Sequence, residues 1–253
     1  MTSEEACEFA EKSGPSNETR EIACQDPEWA IFYAENIDKC PREDTREAAC
    51  KDSQWAYFYA KDVDKEPRNS TRKASCQDPY YAYLYALYVD KCPRDDTREA
   101  ACKDPEWAYL YAKEVDRCSS KDTEKAVCRS SHWAFEYAKN IDECPRDNTR
   151  EAACKESYNA FYYALLIDKC PREDTREAAC RDSESAYEYA RDVDQKPRKD
   201  TREAACKDPE YAYLYAKDVD KCFHQKTWEA TENTEYEKEY DKLLNQIEKD
   251  KII

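Results

Sequence analysis

One glycine, Gly14, and one methionine, Met1, occur in 253 residues, where an ordinary chain carries roughly 7% glycine. That scarcity argues against recurring tight turns with positive φ, against β-hairpins and against glycine loops that cradle phosphate. Branched aliphatic residues are also few, since the 40% apolar fraction is mostly alanine, tyrosine and cysteine. A conventional core cannot be built from that set. Short helices that approach through alanine can still bury enough surface if each unit covers the next.

Other absences narrow the function. His132 and His224 are the two histidines, they share no recurring constellation, and no nucleophile–base motif is present. With no C-x-x-C spacing either, the expectation is a non-enzyme without cofactor or metal. No apolar run is as long as a membrane span, and the start MTSEEACEFAEKSG has neither a basic segment nor an apolar stretch, so a cytoplasmic protein is expected. Acids outnumber bases by 57 to 41, giving a net charge of −16. General nucleic-acid and anionic-membrane binding call for the opposite sign, whereas a basic protein partner suits this one.

What is present is a repeat. Eight units of 26 residues begin at Pro15, Pro41, Pro67, Pro93, Ser119, Pro145, Pro171 and Pro197 and fill residues 15–222 without insertion. The unit from Pro93 to Cys118 reads PRDDTREAACKDPEWAYLYAKEVDRC. It contains two helix starts. Asp96-Thr97-Arg98-Glu99 has the form of a capping box, and Asp104-Pro105-Glu106 places an N-cap acid before proline at the first helical position. Along the second helix Ala108, Tyr111, Ala112 and Val115 recur at i, i+3, i+4 and i+7, one face of a 3.6-residue period. The alanines suit close helix approach, and the tyrosine is expected to fill the space between units with its hydroxyl at the edge. An aspartate recurs after the valine position, as in Asp38, Asp64 and Asp90, and an ion pair with Arg42, Arg68 or Arg94 four residues on is expected at each corner. Asp116 faces Ser120 instead. The fold class is therefore all-α, an α-solenoid of eight two-helix repeats between a half-repeat cap (1–14) and a degenerate repeat with an amphipathic capping helix (223–253).

The order D-x-x-R-E-A-A-C-x-D-P-x-x-A-x-x-x-A is similar to the leucine-rich repeat variant family and, more loosely, to HEAT-like α-solenoids. The resemblance covers residues 15–222 and implies architecture. Here alanine, cysteine and tyrosine replace that family's leucine and valine positions, and the iron–sulfur cluster associated with one member has no counterpart cysteine cluster.

Fifteen cysteines fall into Cys7, eight anchors (Cys24, Cys50, Cys76, Cys102, Cys128, Cys154, Cys180, Cys206) and a second series (Cys40, Cys92, Cys118, Cys144, Cys170, Cys222). Each second-series member lies 16 residues after an anchor, so six bridges such as Cys24–Cys40 can be drawn. Cys50 and Cys180 persist opposite Glu66 and Lys196, which marks the anchors as packing residues and the second position as exposed. Reduced core thiols and intra-unit disulfides both remain open.

Function is sought where units differ. Unit 3 carries Tyr80, Leu87 and Tyr88 on the outer side of its second helix, and unit 6 carries Tyr158, Leu165 and Leu166, where other units are polar. These form a partner or self-association site, or else curvature buries them. Before the first alanine an aromatic row runs Trp29, Trp55, Tyr81, Trp107 and Trp133, either inter-unit packing or flat faces for a partner. Arg20, Arg46, Arg72, Arg98, Arg150, Arg176 and Arg202 form a ladder beside acids. The leading reading is a protein-binding scaffold with an acidic, aromatic-rich surface, including an inhibitor or nucleic-acid mimic of bacterial or phage origin. Alternatives are a single-stranded nucleic-acid binder using the aromatic row and arginine ladder, and a homo-oligomer assembled through units 3 and 6 or the C-terminal helix.

Overall fold

The computed structural model describes residues 1–250, with side chains described through residue 247. Among the described residues every regular element is helical, and the helices recur in pairs at the repeat interval. The chain is an all-α solenoid whose helices fall into two compact units, Met1–Val127 and the segment from Cys128 onward. The first holds the cap helix Ser3–Ser13 and four full repeats, followed by the helix Lys121–Val127. The second runs from the helix Ser131–Tyr137 through three full repeats to a final pair, Gln225–Thr231 and Glu237–Asp250. Within the 223–253 segment the last helix is Glu237–Asp250, and positions 251–253 lie outside the described residues.

In the repeat from Pro93 to Cys118 the first helix is Asp95–Ala101, and the second is Pro105–Leu110 continuing as a π-helical stretch, Tyr111–Asp116. Asp104 caps the second helix as expected, its Oδ1 accepting the Glu106 N–H at 2.9 Å. Asp26, Asp52, Asp78, Asp182 and Asp208 do the same. The capping box expected at Asp96 is not formed. The N-cap there is Arg94, without a side-chain hydrogen bond, and Asp96 lies inside the helix, accepting the Thr97 N–H.

Tyr111 supplies the missing cap. Its hydroxyl accepts the Arg94 N–H at 3.0 Å and lies 3.1 Å from the Arg94 carbonyl and 2.9 Å from Thr97 Oγ1. The tyrosine hydroxyl is therefore inside the repeat, clasping the start of the first helix, and not at the edge. The clasp recurs as Tyr33–Thr19, Tyr59–Thr45, Tyr85–Thr71, Tyr163–Thr149, Tyr189–Thr175 and Tyr215–Thr201. Tyr240 and Thr227 repeat it in the final pair at 2.8 Å, so the degenerate end keeps the geometry of a repeat. These tyrosines are fully buried.

Glycine scarcity does not exclude positive φ. Lys39, Lys65, Lys91, Arg117, Glu143, Lys169, Gln195 and Lys221 close the second helices with φ between 52° and 57°. The π-helical stretch delivers the chain to this left-handed residue: the Lys221 N–H donates to the Ala216 carbonyl, five residues back, at 2.9 Å. A single left-handed residue costs a non-glycine side chain about 1–2 kcal/mol, a cost the packing on either side offsets.

The core lies between successive repeats. Tyr83 and Ala86 of one repeat meet Ala101 and Tyr111 of the next, with Trp107, Leu110 and Val115 against them. Phe135 and Ala138 meet Ala153, Tyr163 and Ile167 in the same way. Each second helix therefore buries two faces, the Ala–Tyr–Ala–Val face and a second one led by Ile31, Tyr57, Tyr83, Tyr109, Phe135, Phe161 and Tyr187. The helical period read from one face alone does not show the second.

Candidate functional site: an aromatic outer face

The arginine ladder is internal. Arg72 places Nε 3.0–3.1 Å from both Asp90 carboxylate oxygens, and its guanidinium carbon lies 5.5 Å from the Tyr85 ring centre. Arg20, Arg46, Arg98, Arg150, Arg176 and Arg202 pair likewise with Asp38, Asp64, Asp116, Asp168, Asp194 and Asp220. The hydrogen bond to Asp90 holds the Arg72 guanidinium above its ordinary pKa. The corner pairing expected four residues on is a secondary contact: Arg42 reaches Asp38 at 3.2 Å and Arg146 reaches Asp142 at 2.9 Å. Arg68 turns to Glu66 and Arg94 to Asp96. The ladder forms no basic stripe, because bidentate carboxylates within each repeat neutralise it.

The tryptophans of the aromatic row are half-buried. Trp29, Trp55 and Trp107 each pack against the cluster between two successive helix layers, and Trp133 touches His132 with ring centres 4.7 Å apart. Their inner edges serve inter-repeat packing and their outer edges remain accessible.

The residues singled out in units 3 and 6 divide by depth. Leu87 and Leu165 are half-buried against the clusters that join their repeats to the next. Tyr80, Tyr88, Tyr158 and Leu166 stand in solvent, with 38%, 52%, 60% and 41% of their surface exposed. Tyr80 and Tyr158 adjoin further rings. Tyr80 lies 4.6 Å from Trp107 and 5.0 Å from Tyr81, and Trp107 stacks on Tyr83 at 5.8 Å. Tyr158 lies 4.5 Å from Tyr162, which lies 4.7 Å from Phe161.

Carboxylates set the electrostatics of both faces. The Tyr83 hydroxyl donates to Glu114 Oε2 at 2.6 Å, and burial together with that carboxylate raises its pKa. Burial, reinforced by Tyr88, Asp62 and Tyr80, pushes Tyr57 up to about 12. The hydrogen bond with Tyr158, burial, and Glu188 and Glu184 raise Tyr162. Beside the unit 3 face a cleft of about 330 Å³ is lined by Leu87, Lys91, Glu114, Val115 and Arg117.

The cysteines divide as their spacing indicates. The second series is exposed, and the anchors are half-buried at the ends of the first helices. Burial pushes the Cys24, Cys50, Cys76, Cys154, Cys180 and Cys206 thiols up to about 11. No group of three or more His, Cys, Asp or Glu side chains placed to hold a metal occurs among the described residues. None of their helices is long and apolar enough to cross a membrane.

The fold and the outer face define a class, the tandem-repeat all-helical proteins, whose repeats stack to present side chains in rows. Comparison with protein-family models, curated proteins and solved structures finds no match to this chain.

Proposed function

We propose that the protein is a non-enzymatic protein-binding scaffold whose partner docks on the aromatic outer faces of units 3 and 6. The observation that carries this reading is the exposure of Tyr80, Tyr88, Tyr158 and Leu166. Large apolar side chains left in water, Tyr80 and Tyr158 among further rings, have the composition of interaction hot spots. The ladder arginines, buried or nearly so in their aspartate pairs, are not free to meet a nucleic-acid strand, which favours protein over nucleic acid. With a net charge of −16, association with a basic target is accelerated, and on a nucleic-acid-binding partner the acidic surface would compete with that partner's own ligand.

The test is affinity capture from native lysate with the parent, Tyr80→Ala/Tyr88→Ala and Tyr158→Ala/Leu166→Ala. These positions are exposed, so the variants should keep the parent's circular dichroism. Leu87 and Leu165 are left intact because they pack in the core. A specific band present with the parent and lost with a folded variant is the expected outcome. Identical bands with all three proteins would remove the proposal.

A further inference from the structure

We infer that the exposed aromatic faces of units 3 and 6 bind arginine side chains of a basic partner segment. This rests on the protein-binding reading and names the chemistry of the partner.

The repeat itself holds arginine in this way. In seven units an arginine guanidinium carbon lies 5.5–5.8 Å from a tyrosine ring centre while an aspartate takes its N–H groups. A second set of cation–ring contacts covers largely buried rings of the second face, four residues apart on one helix. Lys61 lies over Tyr57, Lys113 over Tyr109, Lys139 over Phe135, Arg191 over Tyr187 and Lys217 over Tyr213, at 4.9–6.0 Å. At this register units 3 and 6 carry Leu87 and Leu165. They are also the units that leave Tyr80, Tyr88 and Tyr158 exposed. In these two units leucine replaces the cation over the buried Tyr83 and Phe161, and the exposed Tyr80 and Tyr158 join those rings through Trp107 and Tyr162.

Carboxylates lie near these rings, Glu114 accepting the Tyr83 hydroxyl at 2.6 Å. Asp52 and Asp78 act on Tyr81, Glu114 on Tyr83, and Glu184 and Glu188 on Tyr162. Lys61 is engaged over Tyr57 and Phe58, and Lys91 and Arg117 line the cleft beside the unit 3 face. A planar guanidinium stacks on an aromatic face and keeps its edge for carboxylates, which favours arginine over lysine.

The experiment titrates (Arg-Ser)6, (Glu-Ser)6 and (Leu-Ser)6 peptides into the full chain by calorimetry, with tyrosine ring signals followed by NMR. Parent and the combined Tyr80→Ala/Tyr88→Ala/Tyr158→Ala/Leu166→Ala variant are compared. The arginine peptide should bind the parent, shift exposed tyrosine signals and bind the folded variant about ten-fold more weakly. Equal binding to parent and variant would reduce the effect to net charge and overturn the inference, as would no binding by any peptide. Preference for the leucine or glutamate peptide on the same rings would also overturn it, yet leave the protein-binding reading standing.

Discussion

At the scale of single residues the molecule is organised by hydroxyls and buried charge. The Tyr111 hydroxyl holds both the Arg94 N–H and Thr97, so one side chain replaces the N-cap that the first helix lacks. Tyr111→Phe strands those buried groups and should cost about 1–2 kcal/mol in urea unfolding. Thr97→Val in the same background should add less than it does alone, because the two share one network. The anchor thiols give a pH dependence. Burial places Cys50 at about 11 against an ordinary 9.0, so above pH 9 the unfolded chain loses protons that the folded chain keeps. The contribution is complete below pH 9 and is lost as pH rises towards 11. Buried tyrosines such as Tyr85, raised by burial, act in the same direction. Urea midpoints measured from pH 8 to 11 should therefore fall, and a flat profile would contradict the burial of these thiols. The second helix starts were legible in Asp104-Pro105 because their partners lie within three residues. The clasp was not, because Thr97 and Tyr111 stand 14 residues apart and meet only when the two helices fold back.

At the scale of the element, the second helix changes pitch part-way along its length. The α-helical Pro105–Leu110 becomes the π-helical Tyr111–Asp116, and the chain leaves through Arg117 at φ 55°. A wider turn lets the helix bury two faces, one toward each neighbouring layer, and aims Asp116 back at Arg98. The left-handed exit is where strain is relieved most simply. Lys91 is exposed with φ 55°, so Lys91→Gly should gain about 0.5–1 kcal/mol, the relief of side-chain strain less the added freedom of the unfolded chain. Thermal unfolding decides it, and a destabilised variant would show that the lysine stem contributes packing that outweighs the strain. Composition alone pointed the wrong way here. Few glycines argued against positive φ, yet an isolated helix-ending position tolerates lysine when adjoining layers hold it in place.

At the scale of the whole molecule, 26-residue periodicity, alanine spacing and paired helix starts determined an all-α solenoid, because each of those signals is local and is written eight times. The same repetition made the exceptions visible, and Tyr80, Tyr88, Tyr158 and Leu166 were legible as outward-facing positions by comparing units. Depth was not legible. Leu87 and Tyr88 are adjacent in the chain and equally apolar, yet Leu87 packs toward the next repeat while Tyr88 stands in solvent. The ladder arginines read as neutralised by adjacent acids, but their bidentate partners lie 18 residues further along the chain. Sequence by itself determined that the elements are helices and in what order, since capping and periodicity act within a few residues. Only the tertiary structure decided which face each side chain meets and which charges cancel, because those depend on the angle at which one helix layer comes to rest on the next.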